Sequence, residues 1–470
     1  MERRLREAWP KDGRVEHLEV LDPADDSPVL RVPVSTLDDV ARAVHAARAA
    51  CVDWSRTAPA ERAAAVARAA AAVEAEAEAL ALLNTREMGK PIGEARGGVA
   101  AGVATLRQYA ELGPLHRGRS LCGGWDATDL MAHEPYGVVA AITPWNDPVA
   151  VSCGLIGAAL VTGNTVVYKP SERTPGTGLL LADLMRAHLP DGVLGVVSGG
   201  RRIGAALVDA RPDVVAHVGS SVTGRRIAQA VARYGGKAVL ENGGNDPLIV
   251  DADVDPVWAA EQAALGAFAN AGQICVSVER IYVHRAVADP FLRELVTRAR
   301  ALRMGSGLDP ATQLGPLVDR RLRDQVHAQV RAAVAAGARL LCGGEVPDGP
   351  GAFYPATVLV GCTDDMDVLR EETFGPVAPV AVVDSFDEGL RRAADSRYGL
   401  AATVLTQSMA HAQRAWRELP VGTVKINSVF GGAPGGAAQP RGASGQGFGY
   451  GPELLDEFTR TKVVHVASAP

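Results

Sequence analysis

The sequence predicts an α/β protein of at least two domains, and three observations carry that reading. The chain has 470 residues, more than a single hydrophobic core usually supports. After Asp129, short β-branched or apolar runs alternate with helical stretches, the signature of a parallel sheet flanked by helices. Glycine and alanine carry much of the composition while aromatic residues make up only 5%, which favours closely packed helices and strands joined by glycine turns.

Residues 36–83 are expected to form two helices. Ser35, Asp38 and Asp39 mark the first start, and Pro59 with Glu61 the second. Strands follow at 138–142, 165–168, 195–197 and 214–218, separated by helices that include 177–188 and 223–234. Right-handed crossovers between such strands make a Rossmann-like unit, with a nucleotide expected at the carboxyl ends of its strands. A second α/β unit begins with strands at 239–240 and 248–250 around a glycine turn. It continues through a helix at 257–269 and a strand at 280–284, and alternates to Leu405. A late strand at 424–426 precedes a glycine-rich loop, 431–451, too long for a simple connection and therefore functional or mobile.

Bulk properties exclude several classes of function. With 48 basic and 54 acidic residues and a formal charge of -6, no basic stripe exists for nucleic acid; Arg3-Arg4 and Arg201-Arg202 are solvated faces. The six cysteines, at 51, 122, 153, 275, 342 and 362, lack CxxC spacing, so neither a metal site nor a redox pair is expected, and a reducing compartment is. Residues 1–10 are charged and do not form a signal peptide, and the apolar stretch 149–161 is too short for a bilayer. A soluble cytoplasmic protein with no membrane partner is expected.

Val218-Gly219-Ser220-Ser221-Val222-Thr223-Gly224 follows a strand and opens a helix, where small residues let backbone N–H groups approach a pyrophosphate. At another strand end, Lys169-Pro170-Ser171-Glu172 offers an amine and a carboxylate to ribose hydroxyls. Cys275 follows the glycine turn Ala271-Gly272-Gln273-Ile274, and a cysteine becomes a strong nucleophile once ionised. Glu241, in Glu241-Asn242-Gly243-Gly244, can serve as general base, and Asn146, in Pro144-Trp145-Asn146, can donate to a developing oxyanion.

With Glu371-Glu372-Thr373-Phe374-Gly375-Pro376, these motifs appear in the order and spacing of the aldehyde dehydrogenase superfamily, which the chain resembles over essentially its whole length. The resemblance implies roles. Cys275 attacks an aldehyde, Asn146 and the Cys275 N–H hold the oxyanion, hydride passes to a nicotinamide, and Glu241 activates water to hydrolyse the thioester. It assigns Thr143, Trp145, Lys169, Ser171, Glu172, Gly219, Ser220, Gly243, Glu372 and Phe374 to the cofactor. It also implies a cofactor domain at 1–116 and 135–240 with 440–457 returning to it, a catalytic domain at 241–439, and a small β oligomerisation element at 117–134 and 458–470. A homodimer or homotetramer is expected. The Glu172 carboxylate accepts from a free 2′-hydroxyl and repels a 2′-phosphate, so NAD is expected over NADP, although NADP remains possible.

The family pattern also breaks. Asn242 stands where leucine is usual beside the base. Leu155 and Gly449 replace a lysine and a glutamate taken to relay protons, which leaves water or Glu241 alone for that task and deacylation slow or differently routed. Around the substrate, Asp147, Val151, Gly154, Ile274 and Val276 suggest a wide, mostly apolar mouth with one carboxylate, suited to a bulky or amine-bearing aldehyde. Asp147 acting only as a helix cap before Pro148 is the competing reading. Two rival functions are CoA-dependent acylation, against which Glu241 argues, and a catalytically idle scaffold of the same fold.

Overall fold

The computed structural model describes residues 16–431, 437 and 439–469; the outer ends of the expected terminal ranges, and 432–436 and 438 of the glycine-rich loop, lie outside the described residues. Two large sheets organise it. The first has the order Gly445–Gln446, Lys237–Glu241, Val214–Val218, Val138–Ile142, Thr165–Lys169, Leu194–Val196. All of its pairings are parallel except the short edge pairing of Gly445–Gln446 with Lys237–Glu241. Every residue of its three central strands is buried, which is why they are continuous apolar runs rather than alternating ones. Chain order reverses between Val138–Ile142 and Val214–Val218, and a crevice opens there past the strand ends. Thr143 and Gly219 stand at that crevice.

The second sheet has the order Arg339–Cys342, Thr357–Val360, Val377–Val383, Val278–His284, Asp246–Val250, Ala401–Leu405, Thr423–Ile426, parallel but for its first pair. The strand expected at 239–240 does not belong to it. That segment pairs with Val214–Val218 in the first sheet, because its register continues the buried ladder there. The chain crosses between sheets at residues 242–245, with Glu241 on one side and Asp246 on the other.

The two helices expected over 36–83 are three, Leu37–Trp54, Pro59–Ala75 and Ala77–Met88, followed by a fourth, Ile92–Leu112. The first is capped by Thr36 in a capping box with Asp39, a residue away from the start expected at Ser35. Ser35 instead accepts from the Ser198 N–H at 3.0 Å, tying the segment to the first sheet's loops. Helix Ile92–Leu112 packs on Pro148–Val161, which is buried almost all round. A third sheet joins Thr459–Ala467, Ala127–Pro135 and Arg119–Leu121, all antiparallel. His116 anchors it to the body by stacking on His133 and bonding Asp456 at 2.8 Å. No helix among the described residues is long and apolar enough to cross a membrane.

Candidate active site

Cys275 sits on a loop built of conformations most residues avoid. Helix Pro256–Phe268 ends, and Asn270, Ala271 and Gly272 follow in the left-handed region with φ of 47°, 55° and 72°. A side chain on Gly272 would strike the Gly375 backbone, so glycine is required there. Left-handed non-glycine residues cost about 1–3 kcal/mol each and persist only where their surroundings hold them. Here the holding is explicit. Asn270 Nδ2 donates to the Gln273 carbonyl at 3.1 Å, Gln273 Nε2 donates back to the Asn270 carbonyl at 3.0 Å, and the Val318 N–H donates to Gln273 Oε1 at 2.9 Å.

Asn146, buried in the loop that follows strand Val138–Ile142, joins the same network: its Nδ2 donates to the Gln273 carbonyl at 3.0 Å. An amide NH2 has two hydrogens, so one remains for another acceptor beside Cys275. Burial, together with the carboxylates of Glu241, Asp246, Glu372 and Asp147, pushes the half-buried Cys275 thiol well above its ordinary range. Glu241 is raised to about 7 by burial alone, because no group among the described residues donates to its carboxylate. Its backbone is fixed on both sides: its carbonyl accepts from Gly219 N–H at 3.0 Å, and the Asn242 N–H donates to the Ser444 carbonyl at 2.8 Å. The Asn242 side chain turns away, donating to the Ala443 carbonyl at 3.2 Å and packing against Gly224, so it does not hold Glu241.

A cavity of about 670 Å³ lies over the carboxyl ends of the first sheet. Thr143, Trp145, Lys169, Ser171, Glu172, Gly219 and Ser220 all line it. Lys169 is buried, donates to the Pro170 carbonyl at 2.8 Å and lies 3.8 Å from Glu172. Ser220 caps helix Ser221–Ala232, whose first-turn N–H groups face the cavity as an anion site. Beneath, His217 is held neutral at about 4 by burial, and neither its ring nitrogens nor the Ser221 hydroxyl finds a well-aligned partner among the described residues. A buried amine, a strand-end carboxylate, a helix N-terminus at the cavity and polar atoms without a well-aligned partner together fit a nicotinamide dinucleotide.

Gly243, Glu372 and Phe374 lie together on the far side of this cleft. Glu372 packs on Gly243, accepts from the Gly244 N–H at 3.1 Å, and is raised well above the carboxylate range by burial and then by Glu279. Phe374, itself at φ 52°, meets Trp145 edge-on at 5.5 Å, and Arg173 covers the Trp145 ring at 5.0 Å. Sequence reasoning missed the residue that fixes this loop. Glu279, buried in the strand after Cys275, accepts from the Thr373 and Phe374 N–H groups at 2.9 and 2.8 Å. No local signal marks it, because the same strand, Val278–His284, also carries Arg280 and His284.

The substrate side departs from expectation in two respects. Asp147 makes no cap bond to helix Pro148–Val161; it pairs instead with the buried Lys90 amine at 3.4 Å, with Glu94 close by. The mouth carboxylate is therefore balanced by a cation. Nor does Gly154 leave open space. The Tyr450 ring lies over it, 4.0 Å from where a Cβ would stand, and the Tyr450 hydroxyl meets Thr105 Oγ1 at 2.9 Å. Val151, Ile274 and Val276 are each partly exposed, Val151 on that helix and the other two flanking Cys275. Leu155 is buried in the apolar core and carries no proton.

A doubly wound sheet with a cavity over its strand ends, and a half-buried cysteine close enough to the Glu241 carboxylate to be raised by it, is the architecture of a nucleotide-binding enzyme. Residues 9–464 match the aldehyde dehydrogenase family. The chain is 38% identical over 441 residues to the succinate-semialdehyde dehydrogenase of Paenarthrobacter nicotinovorans, covering 92% of this chain and 97% of that one. It is 37% identical to a betaine aldehyde dehydrogenase of Cereibacter sphaeroides, covering 96% and 94%. The crystal structure of an NAD-dependent aldehyde dehydrogenase from Sinorhizobium meliloti superposes with a TM-score of 0.94 at 35% identity, covering 97% and 93%. The chain belongs to the aldehyde dehydrogenase family, and its activity is the NAD(P)-dependent oxidation of aldehydes to acids.

Proposed function

We propose that this oxidation runs through a covalent intermediate on Cys275, with Glu241 as the hydrolytic base and NAD as the preferred acceptor. Cys275 sulfur bonds to the aldehyde carbon as its proton passes to solvent water, which leaves Glu241 ionised for the hydrolytic step. The free Asn146 N–H and the Cys275 backbone N–H receive the oxyanion. A bound nicotinamide supplies the hydride acceptor. Glu241 then takes a proton from water, the hydroxide oxygen bonds to the thioester carbon, and the C–S bond breaks to release the acid and the thiolate. The observation that carries this reading is the Asn146 bond to Gln273, which anchors the oxyanion donor to the nucleophile's own loop. NADH formation across an aldehyde panel, compared between the wild type and Cys275→Ala, tests it. Turnover that survives the substitution contradicts it.

Preference for NAD rests on Glu172, whose half-exposed carboxylate lies beside Lys169 at the cavity wall. Because Lys90 balances Asp147 and Tyr450 covers Gly154, the pocket suits an uncharged aldehyde of moderate girth rather than a bulky amine. We assign the cofactor domain to 1–116 and 135–240 with 440–457 returning to it, the catalytic domain to 241–439 and the oligomerisation element to 117–134 and 458–470, a division that the separation of the six-, seven- and three-stranded sheets supports. The third sheet exposes Val463 and Val466, and Trp125 projects from its hairpin fully exposed, which supports pairing of subunits into a dimer or tetramer. Light scattering of the purified chain checks that assembly.

A further inference from the structure

Gly449 is conspicuous for what surrounds it. A Cβ built there would stand 2.7 Å from Glu241 Cδ and 2.8 and 3.0 Å from its two oxygens, and these are the three nearest atoms to it. The Gly449 backbone is not in the left-handed region, so conformation does not demand glycine. What excludes a side chain is the Glu241 carboxylate.

The notch is rigid on both walls. Gly445–Gln446 pairs antiparallel with the strand that ends at Glu241. Beyond Gly449, the Tyr450 hydroxyl is held by Thr105 at 2.9 Å, and the Gly451 carbonyl accepts from the buried Tyr109 hydroxyl at 3.2 Å. The Glu241 carboxylate rests in the notch with no donor among the described residues, and Leu155 offers none from the helix behind. Gly449 itself is buried, and the adjacent Tyr450 is 38% exposed, so solvent is reached one residue beyond the notch.

We infer that Gly449 is a positioning residue that provides a docking notch for the Glu241 carboxylate, so that Glu241 carries the proton of hydrolysis to solvent by itself. This deepens the hydrolytic role proposed above and rests on it. The proton taken from water at the thioester travels on the Glu241 carboxyl, which swings to the notch and releases it to water at the Tyr450 rim. The base returns ionised, and no second ionisable side chain takes part.

Gly449→Ala tests this, because the added methyl occupies the notch without backbone strain. We expect the first-turnover burst of NADH to stay within about twofold of wild type while steady-state turnover falls by about tenfold or more, within the range of general-base effects. Hydrolysis of an activated ester, which acylates and deacylates Cys275 without cofactor, should fall in parallel, and the acid limb of its pH profile should shift from the wild-type position. Melting temperature and NADH binding establish that the variant is folded. Unchanged turnover and pH profile overturn the inference, and so does equal loss of burst and turnover in a folded variant. A wild type with no burst on any aldehyde is the separate outcome that removes the covalent reading itself.

Discussion

Asn146 and Gln273 are joined by a 3.0 Å hydrogen bond from the Asn146 side-chain amide to the Gln273 carbonyl, two residues before Cys275. The Asn270 amide donates to the same carbonyl at 3.1 Å, so the oxyanion donor and the left-handed turn that presents the nucleophile share one acceptor. Asn146→Ala therefore removes a donor and loosens the loop together. We expect kcat to fall by about 10²–10³-fold, the usual cost of one oxyanion donor. Burst kinetics check this: the burst rate itself should fall, since acylation is the step that makes the oxyanion.

Glu241, raised to about 7 by burial, sets a pH dependence. The base works ionised, so hydrolysis is lost as pH falls through the folded-state value. Turnover should rise with pH through about 7 with the slope of one proton and then level. A profile of kcat from acid to mildly alkaline pH measures it. In Glu241→Gln the residual rate should lose this limb.

The proposed preference for NAD rests on Glu172. With its carboxylate beside Lys169 at 3.8 Å, Glu172→Gln should leave the lysine free for a phosphate. We expect the ratio of kcat/KM for NAD to that for NADP to fall by about tenfold, equivalent to about 1.4 kcal/mol. Fluorescence titration with each reduced cofactor gives the same comparison without turnover.

In the proposed substrate pocket, Tyr450 is the side chain that limits girth beside Gly154. Replacing it with alanine uncovers Gly154 and releases Thr105, and kcat/KM should then shift toward aldehydes with larger substituents while small aldehydes lose affinity. A panel graded by substituent size measures the shift.

Leu155 stands where the family resemblance implies a lysine, but here the helix around it is packed with apolar residues. Leu155→Lys should cost about 3–5 kcal/mol of stability, the scale of an uncompensated buried charge. Chemical denaturation measures that loss. The lysine of the expected proton path therefore has no place in this core.

Legibility in the sequence followed the range of the physics. The strands at Val138–Ile142, Thr165–Lys169 and Val214–Val218 were visible because burial on both faces makes each an unbroken apolar run. Helix Ile92–Leu112 was not, because Gly93, Gly97, Gly98 and Gly102 weaken its local helical signal while packing on Pro148–Val161 holds it in place. Motif residues at strand ends were found where expected, since a strand fixes its own terminus. The pairs that tune the site were not legible. Lys90 with Asp147, Glu279 with Thr373, Tyr450 with Gly154 and Glu241 with Gly449 each join segments far apart in the chain, and nothing local marks them.

The most direct measurement of the central claim is rapid mixing of Glu241→Gln with NAD and a substrate aldehyde, following NADH and the mass of the protein together. The account predicts a burst of about one NADH per site, no sustained turnover, and an acyl adduct on Cys275. Sustained wild-type turnover in this variant, or a burst that leaves Cys275 unmodified, contradicts it.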